Sequence, residues 1–270
     1  SQVAKIIDGQ HRIAGLEGYS GPDFGLNVTV FIDMDIEDQA LVFATINLKQ
    51  TKVSKSLAYD LYEYAKNRSP QKTCHNIAKL MNTKEGSPFL HRIKILGKAT
   101  GIETELITQA TFVDRLIKLI STDPMDDRDR IKRGKALERI TGTKAERLVF
   151  RDRFVDEKDA EIAKILWNYF KAVSIRWEMA WNTSERGMIL ARTTGFAALM
   201  RVFPQLYKET NAANAIPSHK EFLEHLQRSP LTDGDFNSDR YKPGSTGEGK
   251  LVSDLEETFA KTQLSLRIPT

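Results

Sequence analysis

Polar and charged side chains that could bind an anion or transfer a proton lie in one short segment near the start of the chain. They are Asp8, Gln10, His11 and Arg12, with Gly9 among them. A guanidinium can bind two phosphate oxygens at once, and a neighbouring carboxylate can orient it or face a metal ion. His11 can in principle act as a general base, although the sequence shows no partner that would orient its ring. These residue types indicate a site for a phosphate-bearing anion.

The flanking residues predict how these side chains are positioned. A short apolar run that includes Ile6 and Ile7 precedes an Asp-Gly turn, and a helical pattern with Ile13 and Leu16 follows directly. The polar residues would then lie where a strand passes into a helix N-terminus, whose free N–H groups and dipole attract anions. A structural interpretation is equally open, because Asp-Gly is ordinary turn and cap chemistry and oppositely charged residues four apart can simply pair.

Composition limits the class of protein. The chain has 270 residues, 40% of them hydrophobic, which suffices for one large domain or two. Its net charge of +4 permits nucleic-acid contact without requiring it, since DNA binders usually carry a concentrated basic patch. Cys74 is the only cysteine, which excludes a disulfide framework and a cysteine-based zinc cluster. No apolar run has the length of a membrane span, so we expect a cytoplasmic protein without a membrane partner.

Residues 8–12 read DGQHR, the signature of the DGQHR-domain family, which includes the DndB-like proteins associated with DNA phosphorothioate modification. The chain resembles this family in further segments as well. Residues 43–54 resemble the second block of the family, and residues 177–203 and 244–249 resemble its C-terminal part. More distantly, the first two blocks resemble the ParB/sulfiredoxin superfamily, whose members bind nucleoside triphosphates at an Arg-containing helix start followed by an Asn-containing block.

The resemblance implies a role for each residue of the motif. Arg12 and the helix start would hold phosphate, and Asp8 would orient Arg12 or a metal-bound water. Gly9, Gln10 and His11 would line the pocket. The catalytic candidates are therefore Asp8, His11 and Arg12.

The second block contributes Asn47 and Lys49 as candidate phosphate contacts. The superfamily resemblance implies that Asn47 helps to hold a metal-bound triphosphate, whereas its structural alternative is a helix end in a left-handed turn. The block departs from the ParB pattern, because Ile46 stands where that pattern has Glu and Gln50 stands where it has Arg. Lys49 or Lys52 would have to supply the positive charge.

The resemblance also implies ligands and partners: ATP or another nucleoside triphosphate with Mg²⁺, DNA, and other DNA-modification proteins. We expect a DNA-associated protein that binds nucleotide or nucleic-acid phosphate at residues 8–12, with NTPase activity as an option, in a phosphorothioation or phage-defence system. The alternative is a non-catalytic DNA-binding transcriptional regulator. A scaffold in which the motif only braces the fold is a third interpretation, and a homo-oligomer is compatible with each.

We predict an α/β fold that is mostly helical. A small ParB/sulfiredoxin-like mixed-sheet lobe would cover residues 1–120, a charged linker or arm residues 121–158, and a helical lobe residues 159–270. Because the superfamily has sheet strands ahead of the motif, we expect further strands upstream of Ser1. The β-branched and aromatic pattern predicts strands over residues 26–32 and 88–96.

The segment 121–158 is dense in charged residues. As a mobile basic arm it would contact DNA phosphates in a salt-sensitive way. Its interspersed acids instead favour a solvated linker in which the charges largely cancel. The candidate DNA contacts are Arg128, Arg130, Lys132, Arg133 and Lys135.

The C-terminal part predicts helices over residues 159–181, 185–203, 217–228 and 251–264. The apolar stripe that contains Tyr169 and Trp177 indicates core packing, since a platform for stacking bases needs exposed aromatic rings. The Gly-rich residues 244–249 do not match a P-loop, because Lys250 is followed by Leu251. A weaker phosphate-binding turn and a plain flexible loop both stay open.

Overall fold

The structure is a computed structural model that describes residues 5–32, 34, 38–39, 42–43, 46, 54–96, 101, 106–210 and 215–265, with side chains described as far as Glu257. These residues are mostly helical and include one two-stranded parallel sheet. The prediction of a mostly helical chain with a small sheet is therefore confirmed. Within these ranges, no helix combines the length and apolar character that crossing a membrane requires.

The N-terminal residues contain one short helix, α1 (Gln10–Ala14). Residues 5–7, the described part of the predicted strand before it, have no regular structure, and neither do residues 23–31. The predicted strand over residues 26–32 was therefore wrong. Alternating β-branched residues favour a strand only when a second strand accepts its hydrogen bonds, and none in the described ranges pairs with this segment. Further along, the described residues between 38 and 46 are helical.

The described residues between 54 and 117 form helices around the small sheet. The elements are α2 (Lys55–Asp60), a 3-10 turn (Leu61–Tyr64), α3 (Pro70–Thr83), β1 (Ile93–Lys94), β2 (Ile107–Thr108) and α4 (Gln109–Ile117). Ser54, Ser69 and Thr108 each accept a backbone N–H from the first turn of the following helix and so fix where it begins. The strands are parallel, with Ile93 opposite Ile107. The strand predicted over residues 88–96 is thus only two residues long.

The segment 121–158 packs into the body of the protein. It contains α5 (Pro124–Lys132) and α6 (Arg151–Val155), and its apolar residues Phe150 and Phe154 are fully buried. The buried guanidinium of Arg151 pairs with the buried carboxylate of Asp127, with Nη2 and Oδ1 2.9 Å apart. A solvated arm would leave these groups in water. The aromatic anchors among the charges are what bring this segment into the core.

The remaining helices are α7 (Asp159–Arg176), α8 (Glu178–Asn182), α9 (Thr193–Glu209), α10 (His219–Leu226) and α11 (Ser245–Ser265). Two of the predicted helix starts were wrong. α9 begins at Thr193 instead of residue 185, because Arg192 donates to the carbonyls of Met188 and Ser184 and holds the preceding residues in a turn. α11 begins at Ser245 instead of residue 251, so most of the Gly-rich segment is helical.

The core is aromatic and centres on Phe89, in the turn after α3. Its ring lies 4.6 Å from that of Phe170, 5.4 Å from those of Phe112 and Trp181, and 5.8 Å from that of Phe196, between centroids. These rings come from α4, α7, α8 and α9, and all are buried. The prediction that the aromatic stripe of α7 is core is confirmed. One packed cluster therefore joins elements on both sides of the boundary predicted near residue 159.

Candidate functional site

The backbone of residues 8–12 forms a turn that leads into α1. Gly9 precedes the helix with a φ of 96°, in the left-handed region where a side chain would be strained. Its carbonyl accepts the N–H groups of Arg12 and Ile13, at 3.0 Å and 3.1 Å. No described side chain caps the start of α1, so Asp8 does not serve as its N-cap. Because the Arg12 N–H already donates to Gly9, only the first-turn N–H groups of Gln10 and His11 are left for water or a ligand.

Asp8 and Arg12 form an ion pair across this turn. Their Oδ2 and Nη2 atoms are 3.6 Å apart, and the side chains are 28% and 74% exposed. The guanidinium lies over Gly9, since a Cβ placed on Gly9 would come within 3.5 Å of Nη2. The pair is therefore loose, and the Arg12 side chain is largely open to solvent. The structural and the anion-binding interpretations of the motif are both compatible with this geometry.

The other two polar residues of the motif lie beside this pair. His11 is exposed on α1. The side-chain amide of Gln10 donates to the carbonyl of Ile6 at 3.3 Å and so ties the helix to the residues before the turn. No hydrogen bond that would orient the His11 ring is formed within the described residues. General-base chemistry at His11 therefore stays a prediction.

An apolar cleft of about 250 Å³ adjoins the motif. The residues immediately before Asp8 form one wall. Leu57, in α2, and Leu61, in the 3-10 turn that follows, form another. Its lining consists of Lys5, Ile6, Ile7, Gln39, Phe43, Leu57 and Leu61. The cleft thus combines a hydrophobic surface with the cationic side chain of Lys5, and it begins at the residues that directly precede Asp8.

Two candidate residues cannot be placed in this geometry. Asn47 and Lys49, predicted as metal or phosphate contacts, lie outside the described residues. The candidate basic contacts of the charged segment are described, and they divide into two groups. Arg128 is buried and pairs with Asp129 at 2.8 Å and Asp38 at 3.1 Å.

The remaining members of that basic group lie nearer to solvent. Arg130 donates to the carbonyl of Ala136 at 3.0 Å, and Lys132 contacts Asp38 at 2.5 Å. Lys132, Arg133 and Lys135 are exposed at the C-terminal end of α5 and just beyond it. The prediction that these cations contact DNA is thus open for the three exposed residues, while the guanidinium of Arg128 has a structural role.

The Gly-rich segment is not organised as a phosphate-binding loop. A Cβ on Gly247 would lie 1.9 Å from the carbonyl oxygen of Lys242, so a glycine is needed for this close packing. The adjacent Glu248 is buried and accepts two hydrogen bonds from Arg115, at 2.7 Å and 2.8 Å, and contacts Arg201 at 3.3 Å. A carboxylate already occupies the position that an anion would take. This segment fastens α11 to α4 and α9.

A second group of ligand-type side chains is formed by Asp60, Glu63 and His75, whose donor atoms all lie within 4.8 Å of one another. The sequence alone indicates no role for these residues. Asp60 and Glu63 stand at i and i+3, a spacing that places two side chains on one face of a helical turn. His75 lies in α3, and the sequence does not show that α3 packs against this turn.

Comparisons with known proteins give no match. No family model matches the chain, and no curated protein and no solved structure matches it significantly. The relation to the DGQHR-domain family therefore stays a prediction from residues 8–12 and the segments that accompany them.

Proposed function

We propose that the protein binds a phosphate-bearing ligand at residues 8–12, and that this ligand is a nucleoside triphosphate bound with Mg²⁺. The observation that carries the proposal is the 74% exposed guanidinium of Arg12, held over Gly9 at an uncapped helix start. In this arrangement the Arg12 guanidinium and the backbone N–H groups of Gln10 and His11 donate to the phosphate oxygens. The short helix contributes these individual N–H groups more than it contributes a dipole.

The Asp8 carboxylate does not prevent such binding. An exposed ion pair contributes only about 0–1 kcal/mol, because water competes for both partners. A triphosphate carries several negative charges and can take over the guanidinium at little cost. Asp8 then either keeps one edge of the guanidinium in place or faces the Mg²⁺ ion that accompanies the phosphates.

The apolar cleft supports a nucleotide over a simple phosphate ion. Binding sites for small organic ligands are mostly apolar, with a few placed polar groups. The cleft begins at the residues that precede Asp8, and its isoleucine and leucine side chains offer a surface for a base, with Lys5 at its edge. A phosphate bound by Arg12 and a base in the cleft would occupy neighbouring sites.

The wider setting belongs to the same proposal. The chain would be a DGQHR-domain protein with a ParB/sulfiredoxin-like N-terminal lobe, acting with DNA and other DNA-modification proteins in a phosphorothioation or phage-defence system. Hydrolysis of the nucleotide would use Asp8 to orient Arg12 or a metal-bound water, with His11 as the available base. Asn47 and Lys49 would complete the contacts to the phosphates.

A non-catalytic DNA-binding regulator is the second candidate. The observation that favours it is the exposed group of Lys132, Arg133 and Lys135 at the end of α5. In this alternative, Arg12 contacts the DNA backbone and the lysines and arginine add affinity through counterion release.

Turnover and binding measurements separate the two candidates. Purified protein is incubated with Mg²⁺ and each nucleoside triphosphate, with and without duplex DNA, while phosphate release and DNA affinity at several salt concentrations are measured. Saturable nucleotide binding that Arg12→Ala abolishes supports the proposal. Steeply salt-dependent DNA binding without nucleotide binding favours the regulator. A scaffold is favoured if Arg12→Ala lowers the stability of the protein and weakens the binding of neither nucleotide nor DNA.

A further inference from the structure

We propose that Asp60, Glu63 and His75 form a binding site for a divalent transition-metal ion of the zinc class, separate from residues 8–12. The three side chains come from neighbouring elements: Asp60 ends α2, Glu63 lies in the 3-10 turn that follows, and His75 lies in α3. Their potential ligand atoms lie within 4.8 Å of one another. One imidazole and two carboxylates are a donor set that zinc accepts.

The buried imidazole distinguishes this group from an ordinary surface cluster of acids. The His75 side chain is 0% exposed, and its Nε2 atom has no hydrogen-bond partner among the described residues. That atom faces the Oε2 atom of Glu63 at 4.0 Å, which is too long for a hydrogen bond. A buried polar atom without a partner is costly. A metal ion between the two atoms would supply the missing contact.

Gln109 is placed to orient the imidazole for this role. Gln109 lies at the start of α4, and the Nε2 atom of its side-chain amide is 2.6 Å from Nδ1 of His75. If the amide group rotates so that its oxygen and nitrogen exchange places, the oxygen faces Nδ1 of His75. Nδ1 then donates its proton to that oxygen. The lone pair is left on Nε2, directed toward the two carboxylates. Histidines that bind metals commonly donate their other ring N–H to such an oxygen, which fixes the tautomer.

The carboxylates have the freedom to close around an ion. Ligand atoms at 2.0–2.1 Å from zinc in a tetrahedral site lie about 3.4 Å from one another, so side-chain movements of about 1 Å are needed. The Glu63 side chain is 45% exposed, and Lys79 contacts only its Oε1 atom, at 2.6 Å. Oε2 is thus left toward His75. Three protein ligands leave a fourth position, on the solvent side, for water.

The ligand types select among metals. Imidazole nitrogen favours Zn²⁺, Co²⁺ and Ni²⁺, whereas Mg²⁺ and Ca²⁺ prefer sites made only of oxygen atoms. We therefore expect one Zn²⁺ per chain and no effective competition from Mg²⁺. This selectivity separates the site from the Mg²⁺ that would accompany a nucleotide at residues 8–12.

The test is equilibrium dialysis of the chelator-treated protein against Zn²⁺ alone, with Co²⁺ absorption as a second readout of ligand geometry. Asp60→Asn and Glu63→Gln change exposed or half-buried side chains and leave the buried histidine intact. We expect each to weaken Zn²⁺ binding at least tenfold, and Gln109→Leu to weaken it by about 10–100-fold through loss of ring orientation. Glu85→Gln, on an exposed turn after α3, is the matched control and should bind as the wild type does.

Several results would overturn the proposal. They are the absence of stoichiometric Zn²⁺ binding, equal affinity for Mg²⁺, and binding that persists unchanged in both carboxylate variants. Arg12→Ala should leave Zn²⁺ binding intact, so the outcome here is independent of the nucleotide proposal.

Discussion

Apolar side chains of the same types are exposed in residues 5–32 but buried in the helical body, which comprises the described residues from 54 to 257. In the first region Leu26, Val28, Val30 and Ile32 are 52–85% exposed. In the body, residues of the same types are buried around Phe89, many of them completely. Residue type alone does not determine burial, because an apolar segment is buried only where other elements supply a complementary surface.

The charged residues show the same contrast. The pair of Asp8 and Arg12 is loose and solvent-exposed, with atoms 3.6 Å apart, whereas Arg151 and Asp127 form a two-bond pair whose side chains are 6% and 8% exposed. A buried guanidinium with its hydrogen bonds satisfied is a structural element. An exposed one with a weak partner is available to a ligand. Because of this difference we propose that the N-terminal motif binds a ligand, whereas the buried pair of Arg151 and Asp127 stabilises the fold.

Thiol reactivity should show the largest difference between the two regions. Burial raises the pKa of the Cys74 thiol, and its side chain is fully enclosed on α3. We expect Cys74 to react with a thiol reagent at least about 10³-fold more slowly than a cysteine introduced by Ser20→Cys, because reaction at residue 74 requires unfolding. Both rates are measured on the folded Ser20→Cys variant, by stopped-flow or colorimetric detection of thiol modification. Comparable rates would mean that α3 opens readily.

Removal of an aromatic ring should be costly in the body alone. Phe89→Ala deletes the ring at the centre of the cluster and should lower the free energy of unfolding by about 3–5 kcal/mol. Phe24→Ala removes a ring that is 53% exposed and packs edge-on against Tyr19. Its effect should stay within about 0.5 kcal/mol. Urea unfolding followed by tryptophan fluorescence compares the two, and equal destabilisation would show that residues 5–32 pack more tightly than described.

Loss of a buried cation should be the next largest effect. Arg151→Ala leaves the Asp127 carboxylate buried without its partner and should cost on the order of 3 kcal/mol. Arg139→Ala is the control, since that guanidinium pairs with Asp152 and Asp156 at the surface. Its urea midpoint should match that of the wild type. A tolerant Arg151→Ala variant would show that water reaches this pair.

Helix capping should give the smallest of these changes. Ser218 caps α10, and Glu221 accepts the Ser218 backbone N–H in return, a contact that lowers the Glu221 pKa. Ser218→Ala should destabilise the protein by about 1 kcal/mol. Thermal unfolding measures the loss. No loss at all would indicate that packing of Phe222 and Leu226 alone fixes where this helix begins.

The sequence was most informative where the determinants are local. The helix predicted from residue 217 begins beside its cap Ser218, and the apolar stripe of α7 correctly indicated core. It was misleading for residues 26–32, since alternation predicts a strand but does not say whether a second strand is near. Which segment a strand pairs with depends on contacts far along the chain.

The candidate sites show the same limit. The DGQHR residues were found because they are contiguous. His75 and Gln109 are 34 residues apart and meet only through the packing of α3 against α4. Glu248 meets Arg115 across 133 residues, which is why the Gly-rich segment could be taken for a phosphate-binding turn. Pairs at such separations leave no periodic signal in one sequence.

Calorimetric titration of the protein with ATP and Mg²⁺ tests the central claim most directly, because it measures affinity independently of stability. The wild type and the exposed-arginine control Arg139→Ala should bind alike. Arg12→Ala should unfold at the same urea concentration as the wild type and bind at least about tenfold more weakly, as expected for loss of a charged hydrogen bond worth 1.5–3 kcal/mol. Equal affinity in all three proteins would contradict the account, since the exposed guanidinium would then hold no phosphate.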